Sequence, residues 1–100
     1  MQLIFPDAKK NNIYSLMRDT GYHFQREDLE RGATEYSFVR PRRGFPRFHI
    51  YAQFEGQDLS LNLHLDQKKP IYRGATAHMG DYDGPAIERE AARIKQFFSN

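Results

Sequence analysis

Along residues 47–66 apolar and polar positions alternate with a period of two, the pattern of strands that bury one face and expose the other. Phe48, Ile50, Ala52 and Phe54 alternate with Arg47, His49, Tyr51 and Gln53. Leu59, Leu61, Leu63 and Leu65 alternate with Ser60, Asn62, His64 and Asp66. Between the runs, Glu55-Gly56-Gln57-Asp58 offers a two-residue turn with glycine first, the type II′ arrangement that matches strand twist. The spacing predicts a hairpin of Arg47–Glu55 and Asp58–Asp66 with a fixed register. Glu55 faces Asp58, Tyr51 faces Asn62, His49 faces His64 and Arg47 faces Asp66. A slip of one residue puts the leucines in water.

Weaker patterns predict the remaining elements. Asp7–Thr20 reads as a helix: Pro6 and Asp7 supply a stop and a cap, Ile13, Leu16, Met17 and Thr20 share a face, and Gly21 suits the C′ position. A start at Asn11 or Asn12 would leave only a short helix. Residues 22–33 are charged and stay unassigned. Thr34–Arg40 has the β-branched and aromatic residues of a strand, ended by Pro41. Residues 67–83 read as a polar loop, and Asp83-Gly84-Pro85 announces a final helix with Ile87, Ala91, Ile94 and Phe98 as its apolar stripe. Glu88 and Glu90 near its start and Arg93 and Lys95 near its end suit the helix dipole. The expected fold is α+β, a single domain over residues 1–100 in the order α-β-β-β-α. Two helices would pack on one face of a three-stranded antiparallel sheet and leave the other face open.

Composition narrows the function classes. A chain of 100 residues has room for one core, and eight Phe and six Tyr make that core aromatic-rich. The mean hydropathy of −0.81 places much of the remainder in water. No window approaches the roughly 18 apolar residues of a membrane span, and MQLIFPDAKK lacks the basic start and apolar run of a signal peptide, so the expectation is a cytoplasmic protein away from membranes. With no cysteine, disulfide scaffolds, thiolate zinc sites and cysteine nucleophiles drop out together. The net charge of +2 is mild, but its distribution is not: residues 40–47, RPRRGFPR, hold four arginines, and Lys68, Lys69 and Arg73 follow the hairpin.

Chemistry concentrates on the polar side of the hairpin. The register brings His49 and His64 to about 5 Å at Cβ, flanked by Arg47, Asp66, Tyr51 and Asn62. Two imidazoles and a carboxylate are accepted zinc ligands, with His78 in the following loop as a fourth contributor. The same groups would also make an acid/base pair with Arg47 as an anion clamp. Equally, cross-strand polar pairs are what any solvated sheet face needs. Beside this platform the arginine loop looks phosphate-seeking, with Arg42, Arg43 and Arg47 interleaved with Phe45 and Phe48, or serves simply to keep an edge from pairing further. Asp81, Asp83, Gly84 and Glu90 match the third, fifth, sixth and twelfth places of a calcium-binding EF-hand loop. Met79 at the first place and Pro85 after the glycine rule that out. No phosphate-binding loop, dinucleotide fingerprint or serine-nucleophile motif is present.

The α-β-β-β-α order resembles the double-stranded RNA-binding domain in topology, but the last helix begins GPAIERE instead of with that family's lysine-rich KKxAK. In sequence, NLHLDQKKPIYRGATAHMGDYDG, residues 62–84, is similar to a stretch of short uncharacterised proteins predicted from small-genome bacteria, and this resemblance implies no activity. Three readings remain. One is a module that binds nucleic acid or another phosphate-bearing ligand through Arg42, Arg43, Arg47, Tyr51, Lys68 and Lys69. Another is a small metal-dependent or acid/base enzyme, zinc being the candidate cofactor, centred on His49, His64 and Asp66 with His78. The third is a protein-interaction module using the open face or an edge strand.

Overall fold

The hairpin forms as its alternation dictates, and the rest of the sheet is built on it. In chain order the elements are β1 (Gln2–Phe5), α1 (Ile13–Asp19), β2 (His23–Glu30), β3 (Ala33–Arg40), β4 (Arg47–Glu55), β5 (Asp58–Asp66), β6 (Gly80–Asp81) and α2 (Pro85–Phe98). The computed structural model describes residues 1–67, 80–81 and 83–98. The β4–β5 ladder runs from Arg47 opposite Asp66 to Glu55 opposite Asp58, with His49 opposite His64 and Tyr51 opposite Asn62. Gly56 sits in the turn at φ 64°, a backbone angle that a residue bearing a Cβ rarely adopts and that the first position of a type II′ turn requires.

The sheet is larger than a three-stranded one. Five antiparallel strands lie in the order β1-β5-β4-β3-β2, and the two-residue β6 adds to β5 beyond the end of β1. The α-β-β-β-α expectation is therefore corrected to β-α-β-β-β-β-β-α within one small α+β domain. Three strands escaped the sequence reading: the two-residue β6, which falls within the stretch 67–83 expected to be a polar loop, and β1 and β2. In β1 only Leu3 is buried while Ile4 is exposed, so four residues give too short an alternation to read. In β2 every residue is exposed, and a register shift between Phe24 and Arg26 breaks its period of two. An edge strand wet on both faces has no hydrophobic signature.

The first helix is also corrected, to two turns. Asn12 is its N-cap, with Oδ1 accepting from the Ser15 amide at 3.1 Å, whereas Asp7 sits at φ 59° in a turn. Its end is as expected: Gly21 donates to the Arg18 carbonyl at 2.9 Å and Tyr22 to the Met17 carbonyl at 3.0 Å, a Schellman closure. Ile13 and Met17 of α1 and Ile87, Ala91 and Ile94 of α2 join Leu3, Phe38, Ile50, Ala52, Leu59, Leu61 and Leu63 in one hydrophobic core on one face of the sheet. Among the described residues no helix is long and apolar enough to cross a membrane.

One charge lies inside this layer. Glu90, read from the sequence as a dipole partner near the helix start, is only 3% exposed and faces inward. The Tyr22 hydroxyl donates to its Oε2 at 2.7 Å. Arg40 reaches its two oxygens at 3.1 and 2.9 Å, and Arg93 reaches them at 2.9 and 2.8 Å. Burial alone would push the carboxyl up, but the donated hydrogen bonds from Arg93, Arg40 and Tyr22 outweigh it and hold Glu90 down at about 2. The contribution of this group to stability is complete above its unfolded value of 4.5 and is lost as pH falls from there toward about 2. Glu90→Gln should therefore flatten the pH dependence of unfolding free energy across that window. Glu90→Ala, which strands two guanidinium groups, should cost about 3–5 kcal/mol in urea unfolding at pH 7. A Gln variant with an unchanged acid limb would show that the pair network carries no stability.

Candidate metal centre

The helix-free face of the sheet carries the side chains that point away from the core: Arg47, His49 and Tyr51 from β4, and Asn62, His64 and Asp66 from β5. The strand β3 adds Ser37 opposite Tyr51 and Val39 opposite His49. The rings of His49 and His64 lie 4.9 Å apart between centroids, and Tyr51 stacks against both, at 4.4 Å from His49 and 5.4 Å from His64. This part of the face is not the open platform expected from the alternation. His49 is 5% exposed, His64 8% and Ser37 2%.

Asp66 is the hub. Its Oδ2 lies 3.3 Å from Nδ1 of His49 and its Oδ1 3.1 Å from Nδ1 of His64, while Nε of Arg47 also approaches Oδ2 at 3.3 Å. The imidazole contacts would be ion pairs only if the rings were protonated, and burial opposes that. Desolvation, reinforced by the neighbouring His64 and Arg47 and opposed by Asp66, lowers His49 to about 4. Burial likewise lowers His64, again against the pull of Asp66. Both rings are therefore neutral at pH 7, and neutral imidazole is the form that ligates a metal.

Hydrogen bonding selects the tautomer of His49. The Ser37 hydroxyl donates to Oε1 of Gln25 at 2.8 Å, which spends its only proton. If its oxygen accepts at the 2.6 Å contact with Nε2 of His49, the ring proton sits on Nε2. Nδ1 is then left with its lone pair aimed at the Asp66 carboxylate. Two lone-pair atoms facing each other need a cation or a proton between them. Tetrahedral zinc, with bonds of about 2.0–2.1 Å to nitrogen and oxygen, separates neighbouring ligand atoms by about 3.3 Å. The ligand atoms of His49, His64 and Asp66 all lie within 4.8 Å of one another. The outward bond from His49 Nε2 to Ser37 and on to Gln25 is the supporting contact that ligating histidines use to fix their orientation.

The sequence-predicted residues divide into three groups. His49, His64, Asp66, Arg47 and Tyr51 come together. Arg42 and Arg43 stay apart, exposed on the connection between β3 and β4. Lys68, Lys69 and His78 lie outside the described residues. Ser37 and Gln25 were missed. Ser37 does occupy an alternate position of the strand expected at Thr34–Arg40, but six residues separate β3 from β4, so no turn geometry fixes their register. Gln25 belongs to the unassigned edge. A cavity of about 300 Å³ on the helical side, lined by Phe5, Ala8, Leu16 and Phe98, carries Asn11 and the exposed Asp7–Lys10 pair, 3.7 Å apart, and is a weaker candidate for chemistry.

In multiple-bond ¹⁵N–¹H spectra of the metal-free protein near pH 7, His49 should give the pattern of a neutral ring protonated at Nε2. A proton found at Nδ1 would place an ordinary hydrogen bond between His49 and Asp66 and remove the gap that a cation would fill. Compared with known proteins, the chain matches no family model, no curated protein and no solved structure.

Proposed function

We propose that the protein binds a divalent transition metal of the zinc class through Nδ1 of His49, Nδ1 of His64 and the carboxylate of Asp66. The observation that carries this reading is the convergence of two buried imidazoles on one carboxylate, with Ser37 in contact with the His49 nitrogen that faces away. Three protein ligands leave a fourth position for water or substrate, the arrangement of hydrolytic metal sites. The metal must compete with Arg47 for Asp66 Oδ2, which lowers its affinity below that of a dedicated structural site. A cytoplasmic location, expected from the sequence, belongs to the same proposal. At neutral pH, one equivalent of zinc should shift the ring signals of His49 and His64 together, and Asp66→Ala should abolish the shift. Rings that move independently, or not at all, under excess zinc would sink the metal reading.

A second reading, weak contact with nucleic acid, is favoured by Arg42 and Arg43. Both are exposed on the loop that also holds Phe45, whose ring lies 4.6 Å under the Arg47 guanidinium. The histidines contribute little here, since neutral buried rings offer no charge to a phosphate. Such binding would be dominated by counterion release, so Arg42→Ala with Arg43→Ala should flatten the slope of log affinity against log salt by about one to two units. Oligonucleotides that fail to bind even at low salt would end this reading.

A further inference from the structure

Asp66 Oδ2 faces two groups that cannot both hold it at full strength: Arg47, whose Nε lies at 3.3 Å, and the cation proposed between Asp66 and the imidazoles. Without metal, the guanidinium is the positive charge that neutralises the carboxylate. Once a metal draws Asp66 toward the rings, the carboxylate's charge is shared and the fork of donors on Arg47 loses its acceptor. Arg47 is not free to leave. It stands on β4 two residues before His49 and on the same face, its guanidinium lies against the Phe45 ring at 4.6 Å, and its side chain is only 19% exposed. A planar cation held beside a metal with a vacant position is a receptor for an oxyanion, because one oxygen can complete the metal while others accept from the guanidinium.

Resting on the metal reading, we infer that the loaded site takes a small phosphate, free or as a monoester, with one oxygen on the metal and Arg47 on the others, and that metal and phosphate bind cooperatively. Phosphate is favoured over a carboxylate because Arg42 and Arg43 add charge at the same end of the sheet, where β3 leads into β4, and suit a dianion. A single phosphate group is favoured over an extended strand because the ligating rings are buried and, among the described residues, Arg47 and Asp66 beside them are each only 19% exposed. Arg47 thus changes partner, from Asp66 in the metal-free protein to the ligand in the loaded one. Linkage makes the effect reciprocal: whatever factor metal adds to phosphate affinity, phosphate adds to metal affinity.

Cobalt(II), whose visible bands report its ligands, is the probe for the first arm, and inorganic phosphate and phenyl phosphate are the probes for the second. The full chain should bind one cobalt. Phosphate should then perturb the visible bands and bind about tenfold or more tighter than it binds the metal-free protein. Arg47→Gln should lose most of that gain while cobalt affinity in the absence of phosphate holds or rises, since a competitor for Asp66 has gone, and Arg47→Lys, which keeps the charge but not the fork of donors, should lose part of it. The lysine variant keeps the charge and guards against a folding defect in the glutamine variant. If cobalt binds but phosphate leaves its spectrum unchanged, the phosphate inference is overturned and the metal reading stands. If phosphate binds equally with and without cobalt, the coupling is overturned and the arginine loop alone accounts for the anion. If cobalt does not bind, both fall. A preference for phenyl phosphate over inorganic phosphate would identify a monoester as the ligand, and the reverse preference the free ion.

Discussion

The rest of the structure depends on the strict alternation of β4 and β5 about a turn that only glycine enters easily. With Gly56 fixing the register, four apolar side chains on β4 meet four leucines on β5, and a shift of β5 by one residue would put its leucines in water. This pair is the template onto which β1 and β6 add at one edge and β3 and then β2 at the other. The same constraint sets the polar face without further specification. Once Ile50 must face Leu63 in the core, His49 must face His64 and Arg47 must face Asp66 on the other side. Core packing, the largest energy in the domain, thus positions the groups of the candidate site.

That coupling explains which parts were legible in the sequence. The hairpin, its turn, its register and the cross-strand pairs were readable because period-two burial and a glycine turn are local signals that agree with each other. The final helix was readable for the same reason, since its stripe of Ile87, Ala91, Ile94 and Phe98 has a regular period and a proline in its first turn. Where burial is one-sided and short, or absent, the signal fails. β1 offers four residues before a proline, and β2 is exposed throughout and bulged. The connection between them is compatible with a long helix by periodicity, yet Asp7 in a left-handed conformation and the Asn12 cap confine that helix to Ile13–Asp19. The tight turn at Arg31-Gly32, with both residues at positive φ, joins β2 to β3 without the usual asparagine that would have announced it.

Long-range polar contacts were the other loss. Glu90 looked like an exposed helix residue because nothing within α2 announces that Arg40, fifty positions earlier, and Tyr22, sixty-eight positions earlier, reach it. Ser37 and Gln25 were hidden likewise, since their value lies in touching His49 and each other across strands whose pairing no short loop dictates. Buried polar atoms must find partners, so such networks exist in every core. Their membership is a property of the assembled sheet.

The buried carboxylate of Glu90 and the half-buried one of Asp66, one on each side of that sheet, behave differently, and the contrast bears on what the second is for. Glu90 has an excess of positive partners, two guanidinium groups and a phenol, at 2.7–3.1 Å, and its carboxyl is held at about 2. It is complete as a structural unit and has no need of anything else. Asp66 has one arginine and two imidazoles that burial keeps neutral, all at 3.1–3.3 Å. One of those rings also contacts Ser37 through Nε2, and Ser37 in turn bonds Gln25. Replacing such a cluster with apolar residues of similar shape would cost a purely structural sheet little and would often stabilise it. The cluster matches in type and spacing what a divalent cation requires, and it is on that match that the metal reading is proposed.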